Sequence, residues 1–133
     1  MNVFAISPEV ATVIHTNAWA ELTRHAQTIG QLCSLISEQD TLCDTAIALG
    51  HAIRAQADCL HDLAAYNDDP EAGAAVEQLA DDWASALSKA GDIRELVELL
   101  REKAIGNPAA FALASSIELL AERISGTAID NTP

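Results

Sequence analysis

Apolar residues recur every three or four positions along most of this chain, the spacing of one face of an α-helix. Val10, Val13, Ile14, Ala18, Leu22, Ala26, Ile29, Leu32, Cys33 and Ile36 follow it without a proline among them. Ahead of them, Ser7-Pro8-Glu9 supplies a cap, a residue with no amide to leave unpaired, and an acid for the positive helix end. The pattern predicts a first helix over about 8–37, with an optional break at Thr16-Asn17. Asp40 or Thr41 then offers a second cap, and Leu42, Ala46, Leu49, Ile53, Leu60 and Ala64 form the seam of a helix over about 41–65. The seam continues the register of Leu35, so one long helix running through Gln39 is the alternative.

Tyr66-Asn67-Asp68-Asp69-Pro70-Glu71 reads as a turn, with Asp69 as cap and Pro70 as the first residue of a third helix over about 70–89. Its predicted inner face is Ala72, Val76, Leu79, Trp83, Leu87 and Ala90. Gly91 reads as a stop, and Asp92-Ile93-Arg94-Glu95 as the capped start of a short fourth helix to about 104, with Ile93, Leu96, Val97 and Leu100 inward. Gly106-Asn107-Pro108 repeats the stop and start. A fifth helix over about 108–125 places Phe111, Ala114, Ile117, Leu120 and Ile124 inside, and Gly126 ends it before a polar tail. The expectation is an all-α bundle of four or five helices with antiparallel hairpins, one domain over 1–133, with flexible tails at 1–7 and 127–133.

Composition supports that class. Half of the 133 residues are apolar, mostly Ala, Leu and Ile, and only Phe4, Trp19, Tyr66, Trp83 and Phe111 are aromatic. Trp19 and Trp83 fall on apolar faces and read as core residues or dimer anchors. Three cysteines, Cys33, Cys43 and Cys59, and an N-terminus without a leader pattern suggest free thiols in a cytoplasm. No stretch approaches the roughly 18 apolar residues of a membrane span.

Charge changes the picture more. The formal net charge is −13, and residues 1–82 carry 13 acids against Arg24 and Arg54 alone. Within Asp58–Asp82 stand eight acids and no Lys or Arg. Such a balance disfavours nucleic acid and anionic membrane as direct partners. Advancing about 100° per residue, Asp44, His51, Asp58 and Asp62 share the outer side of the second helix, while Glu71, Glu77, Asp81 and Asp82 share that of the third. With Asp68 and Asp69 at the turn, these acids make a candidate face for a basic partner, or a solvated face that keeps the protein dispersed.

Candidate chemistry is thin. None of His15, His25, His51, His61 and the three cysteines pair at the i, i+3 or i, i+4 spacing of helical metal ligands, and His61 between Asp58 and Asp62 is the nearest approach. Acid pairs such as Asp81-Asp82 and Glu118-Glu122 read as surface pairs, and the glycines form no phosphate loop. No enzyme activity, cofactor or metal is expected.

Ser34-Leu35-Ile36, then Thr41-Leu42, Asp44, Ala46, Leu49, Ile53-Arg54 and Gln56, resemble a central helix of the small phage anti-CRISPR proteins that act on type I-E systems. The resemblance spans residues 34–56 and implies an all-helical, dimeric inhibitor of the helicase-nuclease that a CRISPR surveillance complex recruits. This chain departs from the family in its added helices after residue 90, so no contact residue is carried over. Two expectations follow: a non-enzymatic inhibitor that covers a basic surface of a host nucleic-acid-handling enzyme, or a structural or adaptor module, such as a secretion chaperone or immunity protein, built as a helical dimer.

Overall fold

The computed structural model describes the backbone of residues 8–39, 41–68 and 76–131, and the side chains of 17–39, 41–68 and 80–131. Four α-helices account for nearly all of it: α1 (Pro8–Ser37), α2 (Asp44–Asp68), α3 (Val76–Lys103) and α4 (Pro108–Asn131). No strand occurs among the described residues. The first helix has the predicted span and runs unbroken through Thr16-Asn17. Met1–Ser7, Asp40, the start of the third helix at Pro70 and the last two residues lie outside the described residues.

The buried positions explain the assembly. Apart from Leu42, Asp82 and Ser125, those among the described residues fall at 19, 22, 26, 29, 33 and 36 on α1, at 46, 50, 53, 57, 60 and 64 on α2, at 83, 86, 90, 93, 97, 100 and 104 on α3, and at 110, 114, 117, 121, 124 and 128 on α4. Each series alternates steps of three and four, a heptad spacing of 3.5 residues that keeps a straight seam against neighbours inclined by about 20°. α1 packs on α2 and α4, and α3 packs on the same two helices, so α1 faces α3 across one diagonal and α2 faces α4 across the other. Trp19 and Trp83 meet on the first diagonal. Their rings stack with centroids 3.6 Å apart and planes 16° from parallel, and both are buried. Trp19 Nε1 has no hydrogen-bond partner among the described residues, so packing alone holds that ring.

Several boundaries differ from the sequence expectation. Leu42, predicted inside the second helix, is buried in the connection, and α2 begins only at Asp44, whose acid suits the positive end. The helix–connection–helix arrangement excludes the single long helix through Gln39. α2 also runs past 65 to Asp68. α3 is continuous through Gly91, because its buried series passes from Ala90 to Ile93 without a phase change. The predicted fourth helix is the second half of α3. Gly126 likewise lies within α4, and residues 127–131, expected as a tail, are helical, with Ala128 buried. Phe111, predicted inside, is exposed, because Ala110 occupies the seam position.

The stop and start at 106–108 match the prediction. Gly106 adopts φ of 92°, a left-handed conformation that a side chain would strain. Asn107 Oδ1 accepts the Ala110 amide at 3.0 Å, capping α4 ahead of Pro108. Asn107 Nδ2 donates to Thr41 Oγ1 at 2.8 Å, which ties the α1–α2 and α3–α4 connections together at one end of the bundle.

Candidate functional site

The acids of α2 lie where the helix period puts them. Asp44, Asp58 and Asp62 are exposed, with His51, on the side opposite the Ala46–Ala64 seam. The Asp62 side chain is 87% accessible, and its one ionic neighbour among the described residues is the His61 ring at 3.8 Å. On α3, Asp81 is also exposed, whereas Asp68, at the end of α2, is half-buried. Asp69 and Glu71 fall outside the described residues, as does the side chain of Glu77. Among the described residues, Asp44, Asp58 and Asp81 have no cation in ion-pair range. Arg54, the one basic residue on α2, is turned toward α1, where it donates to Ser34 Oγ at 3.0 Å.

Asp82 does not belong to this face. It is 7% exposed, and its Oδ2 accepts a hydrogen bond from Asn67 Nδ2 at 2.9 Å, a cross-link between α2 and α3 beside the tryptophan stack. It directly follows Asp81, and a 100° step is enough to turn one carboxylate outward and the other in. Asn67, read from the sequence as part of a turn, is the last helical residue but one of α2 and also donates to Leu63 O at 2.9 Å.

The cations are concentrated on the other side. Arg101 forms a close ion pair with Glu118, and Arg94 lies 3.7 Å from Glu122, so both acids of the supposed Glu118-Glu122 surface pair are neutralised from α3. The segment 93–104, with its mixed charges, therefore covers α4.

Reactive side chains are dispersed. Among the described residues no three His, Cys, Asp or Glu side chains gather as a metal site, and no helix is long and apolar enough to cross a membrane. Cys43 and Cys59 are exposed, while Cys33 is buried. Burial pushes the Cys33 thiol up from 9.0 to about 12; Arg54 opposes the shift and Asp58 adds to it. At neutral pH that thiol is protonated and a poor nucleophile. Because the unfolded chain releases this proton first, the thiol's contribution to stability is complete below pH 9.0 and is lost as pH rises toward 12.

No protein family, no curated protein and no solved structure matches this chain. Residues 34–56 comprise the last turn of α1, the connection and the first half of α2.

Proposed function

We propose that this protein acts without catalysis, by laying the outer acidic face of α2, extended by Asp81 of α3, on a basic protein surface. The supporting observation is that Asp44, Asp58 and Asp81 are exposed and have no cation in ion-pair range among the described residues, while Arg94 and Arg101 pair with acids elsewhere. A solvated surface has no need of such segregation: interspersed charges of both signs keep a domain dispersed equally well. The α2 acids also come at a local disadvantage. Asp58 and Asp62 are a like-charged i, i+4 pair, and the last turn of α2 has no basic residue to meet its negative end.

Basic surfaces of this extent belong above all to proteins that handle nucleic acids. Together with the resemblance of residues 34–56, this favours a phage or mobile-element inhibitor working in the bacterial cytoplasm. Its target is the nucleic-acid-facing surface of a host enzyme, a CRISPR helicase-nuclease or surveillance complex in the most specific form. Binding of this kind is steered by charge and weakens as salt screens it. The second reading, a structural or adaptor module, has the apolar exterior of α4 in its favour.

The test is capture from a bacterial lysate on the tagged protein, with low-salt and then high-salt washes. A nuclease, helicase or CRISPR subunit released by salt is the expected result. Partners retained through high salt point instead to an apolar contact and the adaptor reading.

A further inference from the structure

No further inference is drawn: the strongest candidate, the surface patch where the exposed Tyr66 ring follows Asp62 by one turn on the outside of α2, belongs to the acidic face already described, and nothing among the described residues adds a second sign of what that patch binds.

Discussion

On α2 the exposed acids Asp44, Asp58 and Asp62 form no ion pair with an arginine or lysine among the described residues, whereas on the α3–α4 side Glu118 and Glu122 rest against Arg101 and Arg94. Both sides are built on the same heptad core, so packing does not account for the difference. The α3–α4 side uses charge to bind two helices of one chain together, and what it leaves outside is apolar. On the α2 side Asp44 meets the positive helix end, while Asp58 and Asp62 stand as a like-charged pair at a small loss in helix stability. Charge that is not paired within the bundle is the kind available to a partner.

The largest effect tests whether the two sides are one cooperative unit. Trp83→Ala removes half of the stack that spans the α1–α3 diagonal and is expected to destabilise the protein by about 3–5 kcal/mol, still in a single denaturant transition. Two separate transitions would divide the bundle into independent halves. Next, Arg101→Ala uncovers a pair whose side chains are 26% and 21% accessible, and a loss of roughly 1–2 kcal/mol is expected in the same titration. Arg94→Ala, in a pair 48% and 46% accessible, should lose no more than about 0.5 kcal/mol.

Gly91→Ala is expected to stabilise by about 1 kcal/mol, since α3 is continuous there and nothing lies within 4 Å of an added methyl group. A loss instead would show a break at Gly91. Smallest is Asp62→Lys, which replaces a like-charged i, i+4 pair with an attractive one and should raise the denaturation midpoint by the equivalent of about 0.5 kcal/mol. A destabilised Asp62→Lys would mean that the α2 acids serve the fold.

How much was legible in the sequence follows from the same contrast. The outer acids of α2 were placed correctly because a long, regular helix keeps its phase, and Ile53 and Leu60 mark that phase clearly. On α3 and α4 the phase was harder to follow, because Ala86, Ala90, Ala104, Ala110, Ala114, Ala121 and Ala128 fill so many seam positions. Alanine suits a helix surface as well as a closely packed core, so the larger Phe111 drew the inward assignment that belongs to Ala110. Gly91 and Gly126 were read as stops by residue type, although the three-and-four spacing runs straight through both. Asp82 was assigned outward with Asp81 because its partner, Asn67, comes from another helix. No local pattern carries that contact.

The central claim is that the α2 face is the working surface, and it is tested most directly by measuring the affinity of the salt-released partner for the wild-type protein and for a triple Asp58→Lys, Asp62→Lys, Asp81→Lys variant. The account predicts a folded variant that binds at least about 100-fold more weakly, with most of the change in the association rate. Equal affinity in a folded variant would contradict it, and would leave the acids of α2 as solvation alone.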